Sequence, residues 1–229
     1  MSVMQASSQL GQDLFVLDQL DQKKRGTFVD IGAGHPKEIN NTFFLEKNYG
    51  WRGISVDIGP PHAHAVQGKT LDEYRDIWNS HRFTPLICGD ALKINFTEAF
   101  KENNLPTTID YLSLDLEPPL VTLECLRKIP FSEYVFNVIT YETDAYREEG
   151  TEEESRALLT NFGYKLIRCK GRRIGTPRAG DVPHLLEGKK LMMTATGVMK
   201  VGVTKPQEDW YIHERLYNRY LLQQPRVIL

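Results

Sequence analysis

TFVDIGAGH, Thr27 to His35, is a short apolar run that meets Asp30 and then Gly32 and Gly34. A β run broken by closely spaced glycines lets the backbone turn sharply and approach a ligand with no Cβ in the way. The stretch therefore predicts a strand, Thr27 to Ile31, feeding a cofactor loop.

Outward from this stretch, further apolar runs recur with helical segments between them: Gly53 to Ile58, Thr84 to Cys88, Ile109 to Asp115, Val135 to Tyr141 and Tyr164 to Cys169. Strands alternating with helices predict an α/β fold, a largely parallel sheet covered on both faces. Asn40 or Asn41 caps a helix through Tyr49 that turns Phe43, Phe44 and the Lys47 stem inward and stops at Gly50. Thr70 with Glu73 and Thr151 with Glu154 have capping-box spacing, with Gly163 stopping the second helix. Pro118 and Pro119 fit a first helical turn leading into Leu120, Leu123, Leu126 and Ile129. Two segments break the rhythm: the loop from Gly59 to Gly68, and the glycine-rich, charged stretch from Gly171 to Pro206. The latter contains a hairpin, 191–196 against 198–203, turning at Gly197.

Ligands of an open parallel sheet bind beyond the carboxyl ends of its strands. Carboxylates recur there: Asp30, Asp57, Asp90, Asp115 with Glu117, and Glu142 with Asp144. Asp57 lies 23 residues beyond Gly34, the distance at which a second-strand carboxylate takes both ribose hydroxyls of an adenosine cofactor. A dinucleotide loop requires a third glycine, and here the loop runs on to Lys37, which disfavours a pyrophosphate. S-adenosylmethionine has no phosphate, and its positive sulfonium and ammonium groups suit an acidic pocket.

The chain resembles the FkbM family of S-adenosylmethionine-dependent methyltransferases. The resemblance is carried by SQLGQD at Ser8 to Asp13, FVDIGAG at Phe28 to Gly34, NNTFFLEKNYGWRGISVD at Asn40 to Asp57, IDYLSLDLE at Ile109 to Glu117 and EDWYIHE at Glu208 to Glu214. It implies a seven-strand Rossmann-like fold with an antiparallel last strand, and methyl transfer, usually to an oxygen. Asp57 stands where the family more often has glutamate. Pro118 and Pro119 stand where it commonly has glycine and a polar residue, so the acceptor pocket is shaped differently.

The resulting expectation is that Asp30, Gly32, Ala33, Gly34, Asp57, Ile58, Asp90, Ala91 and Asp115 hold the cofactor, with Asp90 toward the adenine amino group. Asp115, Glu117 and Glu142 then face the acceptor, as a general base or as oxygen ligands of a divalent metal. The plainer alternative is that Glu117 caps the Pro118 helix and Glu142 pairs with Arg147. Gln9, Gln12 and Asp13 either reach over the methionine end or, for Asp13, cap a helix. His62 and His64 are read as solvated loop residues. From Lys165 to Lys190 eight Lys or Arg face only Asp181 and Glu187, which points to an anionic acceptor such as a phosphorylated sugar or an RNA end, or to a solvated hairpin.

With 229 residues the chain suits one domain spanning 1–229, with the 171–206 segment as an insertion. A hydrophobic content of 41% and a formal charge of -2 give no global attraction to nucleic acid or membrane. The apolar runs fall short of the ~20 residues of a membrane span, so a cytoplasmic location is expected. Cys88, Cys125 and Cys169 form neither a disulfide framework nor a zinc motif. The function read from the sequence is methylation of a hydroxyl on a small or sugar-like acceptor. Its rivals are a catalytically silent scaffold of the same fold, an RNA-end methyltransferase and, least, a nicotinamide oxidoreductase.

Overall fold

A computed structural model describes residues 6–60, 66–145, 147–148, 150–173, 189–193 and 199–217. The strands are β1 (Thr27–Ile31), β2 (Arg52–Asp57), β3 (Leu86–Cys88), β4 (Thr108–Leu114), β5 (Val135–Glu142), β6 (Tyr164–Arg173), β7 (Lys189–Met193) and β8 (Met199–His213). They lie in the order β3-β2-β1-β4-β5-β8-β6, with β7 paired off the path to β8. Strands β1 to β5 pair in parallel, and β8 runs antiparallel between β5 and β6. This is the seven-strand, mostly parallel sheet with an antiparallel last strand that the resemblance implies. Strand β1 has the bounds read from the sequence, and the other runs match within a few residues.

The helices are α1 (Gln12–Gln19), α2 (Phe43–Tyr49), α3 (Leu71–His81), α4 (Phe96–Glu102), α5 (Pro119–Lys128) and α6 (Thr151–Asn161). Alternate residues of a strand point to opposite faces. Accordingly Phe28, Tyr111, Val138 and Trp210 pack with Phe15 and Val16 of α1 and Leu45 of α2. Val29, Ile31, Leu112 and Ile139 pack on the other face with Phe96 and Phe100 of α4, Leu123 and Leu126 of α5 and Leu159 of α6. Each fully buried side chain of this size contributes roughly 1.5–3 kcal/mol of transfer free energy. A third group, Ala33, Val66, Tyr74 and Trp78, seats α3 beside the glycine loop.

Local signals hold in part. Thr70 and Glu73 form the full capping box of α3, and Gly50 closes α2 at φ 66°. Thr151 does not cap. It is the first residue of α6, whose N-cap is Gly150 at φ 90°, and its hydroxyl donates to the Glu148 carbonyl, because the left-handed glycine turns the chain before threonine can. Leu45 and Glu46 are the buried residues of α2 and Phe44 packs half-buried against the same core, whereas Lys47 is exposed and sits over the exposed Phe83 ring. Leu120 is exposed while Leu123 and Leu126 are buried, as the helical period demands. Strand β7 pairs antiparallel with β8, Met193 opposite Met199, so the expected hairpin is present. Its turn at Gly197, together with His62 and His64, lies outside the described residues. Strand β6 runs to Arg173 and β8 starts at Met199, so both ends of the 171–206 segment are strand.

Candidate functional site

The loop after β1 is built on close backbone approach. Gly32 has φ 83°, and a Cβ there would lie 1.8 Å from the Asp115 carbonyl oxygen. The Gly32 and Ala33 amides donate to the Val56 carbonyl, which locks the turn against β2. Asp57 ends β2 and accepts from the Gly34 amide at 2.8 Å and the Gly59 amide at 2.7 Å. Its carboxylate thus ties the glycine loop to the loop after β2, and burial raises its pKa despite both bonds. Ile58, next to it, is 45% exposed. Tyr74 donates to the Gly34 carbonyl at 2.7 Å from α3.

Strand parity places the remaining groups. Asp30 shares a face with Phe28, Asp115 with Tyr111 and Ser113, Glu142 with Val138 and Thr140, and Glu208 with Trp210. Glu142 and Glu208 are direct register partners across β5 and β8. Four carboxylates therefore come to one face of the sheet. Asp30 is buried and accepts from the Thr42 hydroxyl at 2.7 Å; burial pushes its pKa up to about 6. Asp115 and Glu142 lie close enough that a proton on one is felt by the other, and burial raises both carboxyls. Burial, and then the Asp115 charge, holds the Glu142 carboxyl far above the ordinary range. Glu208 accepts from Gln12 and from the Trp210 indole, and burial raises it to about 8.

The alternatives weighed for Glu117 and Glu142 are both replaced. Helix α5 has no side-chain cap, and Arg147 pairs with Glu117 and, at 3.2 Å, with Asp144 instead of with Glu142. Ligand oxygens of Glu117, Glu142 and Asp144 lie within 4.8 Å of one another. Asp144, rather than Asp115, completes that trio. The Glu142 Oε2 atom is buried with no hydrogen-bond partner among the described residues. An all-oxygen donor set with one unsatisfied buried atom fits a hard divalent cation, in competition with the Arg147 guanidinium.

Other expected residues have structural work of their own. Asp90 caps a short 3-10 turn (Ala91–Lys93), accepting from the Leu92 amide, which holds its pKa low; Ala91 is buried. Asp13 does not cap α1, whose N-cap is Gly11, but takes the Ser7 and Ser8 amides and the Ser8 hydroxyl. Gln12 joins the carboxylate face through Glu208. Asn41, one of the two residues read as a helix cap, instead donates to Ser113 Oγ at 3.0 Å, on the strand that leads into Asp115. Glu208 and Asn41 escaped the sequence-based site. The i, i+2 spacing of Glu208 and Trp210 in a terminal strand is the signal that finds Glu208.

No protein-family model matches the sequence, and no curated protein matches it. Solved structures are similar in chain path at low identity. M. jannaschii TYW2 in complex with AdoMet is 16% identical over 93% of this chain and 79% of its own, at a TM-score of 0.40. Precorrin-6y C5,15-methyltransferase from Geobacter metallireducens is 12% identical over 93% and 91%, at 0.42. An RNA methyltransferase from Salinibacter ruber in complex with S-adenosyl-L-homocysteine is 16% identical over 59% and 76%, at 0.36.

Proposed function

We propose that the protein is an S-adenosylmethionine-dependent methyltransferase of the FkbM type that methylates a hydroxyl of a small or sugar-like acceptor. The observation that carries this reading is the Asp57 carboxylate at the end of β2, tied to the amides of both Gly34 and Gly59 beside the exposed Ile58. That arrangement offers a ribose-binding carboxylate and an apolar seat for a base, with no third glycine for a pyrophosphate. Bound there, S-adenosylmethionine supplies a sulfonium-activated methyl group. Asp30 and Asp115, on the same face, offer negative charge to its cationic end.

Glu142 and Asp115 serve as the base toward the acceptor hydroxyl. A close pair that retains one proton holds a single negative charge, and burial makes its ionised oxygen more basic than a solvated carboxylate. Glu117, Glu142 and Asp144 are the residues that would hold a divalent cation, which would supply Lewis acidity to the acceptor oxygen. The described rim is acidic, so a neutral hydroxyl-bearing acceptor is favoured. An anionic one needs positive charge from that cation or from the basic stretch of the 171–206 segment.

Calorimetry with S-adenosylmethionine, S-adenosylhomocysteine and NAD tests the donor: binding of the sulfur compounds and not of NAD is expected, and no binding of either sulfur compound overturns the reading. Glu117→Gln and Glu142→Gln, assayed with magnesium titrated in, test the acceptor side. Unchanged turnover in both removes their catalytic assignment.

A further inference from the structure

Behind the glycine loop, Arg82 is wholly buried at the C-terminal end of α3. Its Nε donates to Glu46 at 2.9 Å, and Glu46 is in turn occupied by the Phe83 and Thr84 amides and the Thr84 hydroxyl. The rest of the guanidinium fork points into the loop. Nη1 donates to Asn40 Oδ1 at 2.9 Å and to the Pro36 carbonyl at 3.2 Å; Nη2 donates to Thr42 Oγ1 at 2.9 Å. Asn40 passes the restraint on, its amide donating to the carbonyls of Ala33 and His35.

Proton counting gives the Thr42 contact a direction. A hydroxyl has one proton, and Thr42 Oγ1 already accepts from Arg82. Asn40 Oδ1 already accepts from Arg82 and from the Thr42 and Phe43 amides. The Thr42 proton therefore goes to Asp30, 2.7 Å away. A buried Arg–Glu pair is by itself weak evidence of a stability role, since apolar residues of similar volume often serve as well. A pair that sends three of its four donations into one loop has a geometric task.

We propose that Arg82 is a positioning residue for the methyl-donor site, fixing the Asp30 carboxylate through Thr42 and the Gly32–Gly34 turn through Asn40. This rests on the donor reading above. The test compares wild type, Thr42→Val, Thr42→Ser and Arg82→Lys at a temperature where circular dichroism shows each folded. S-adenosylhomocysteine affinity is read by calorimetry, and amide exchange across residues 32–35 is read without ligand. Thr42→Val, nearly isosteric, is expected to weaken binding about tenfold, the loss of one hydrogen bond to a charged group. Thr42→Ser keeps the hydroxyl and restores affinity to within about twofold of wild type on the same reasoning. Arg82→Lys keeps the charge but loses the fork, and speeds exchange at Ala33 and Gly34. Wild-type affinity in Thr42→Val, with unchanged exchange in Arg82→Lys, overturns the inference while leaving the donor reading intact. Absence of binding by the wild type overturns the donor reading, and this inference with it.

Discussion

Gly32→Ala separates two costs that are usually confounded. At φ 83° an alanine sits in the left-handed region, a penalty of roughly 1–2 kcal/mol. Its Cβ would also stand 1.8 Å from the Asp115 carbonyl oxygen and 3.2 Å from Leu116 Cδ2. Backbone must then move by more than an ångström, and overpacking of this kind costs about 1–3 kcal/mol further. Gly68 is the internal control: its φ is 80°, and a Cβ there meets nothing within 4 Å. Gly68→Ala should thus lose about 1–2 kcal/mol and Gly32→Ala about 2–5, the excess being steric. For a chain of this size the Gly32 variant should melt roughly 5–20 °C below wild type. Urea unfolding followed by circular dichroism, with a shared slope fitted to all three proteins, reads the difference. Equal losses in the two variants would refute the argument that Gly32 is there to let the chain approach Asp115. The Asp115 carbonyl has to give way in Gly32→Ala, so weaker S-adenosylhomocysteine binding should accompany the lost stability.

The raised carboxyls carry a sign. Glu208, lifted to about 8, contributes stability that is fully present below its unfolded pKa, near 4.5, and is lost as pH rises through about 8. Urea midpoints from pH 5 to 9 should fall in the wild type and fall less in Glu208→Gln; parallel curves would contradict the assignment. Asp30 works in the same direction at lower pH, its contribution disappearing as pH rises through about 6, and Asp30→Asn should flatten the wild-type decline between about pH 4 and 6. Glu46→Ala leaves the Arg82 charge buried without its carboxylate and should cost about 3–5 kcal/mol in the same assay. Thr70→Ala removes the hydroxyl that accepts from the Glu73 amide, the side-chain half of the α3 capping box, and should cost about 1 kcal/mol by thermal melting, whereas no helix cap is lost in Thr151→Ala.

The sheet was legible because its strands are written in continuous apolar runs, and β1 follows from Thr27–Ile31 alone. The carboxylates at strand ends were legible for the same reason: a strand's end is visible in one dimension. Partnership is not. Arg82 meets Thr42 across 40 residues, Asn41 meets Ser113 across 72 and Gln12 meets Glu208 across 196, and no local pattern encodes such a meeting. Short polar motifs also compete: T-x-x-E caps a helix at Thr70, but at Thr151 a left-handed Gly150 takes the position first. The pairing of Arg147 with Glu117 and Asp144, in place of Glu142, follows from Glu142 turning inward to Asp115, a choice made by strand parity and burial.

Strand β8 has a consequence for the order in which the chain assembles. It lies between β5 and β6 although it is made after both, so β6 has no edge to join until the residues around Glu208 to His213 are available. A nascent chain that has completed β5 therefore presents the bare edge of Val135–Glu142, an open template for pairing with another chain, for as long as synthesis takes to reach His213. The hydrogen bond that Gln12 sends to Glu208 closes nearly the full length of the chain at that same moment. Completion of the acidic face and sealing of the sheet are thus one late event, with a slow, long-range closure as its kinetic signature.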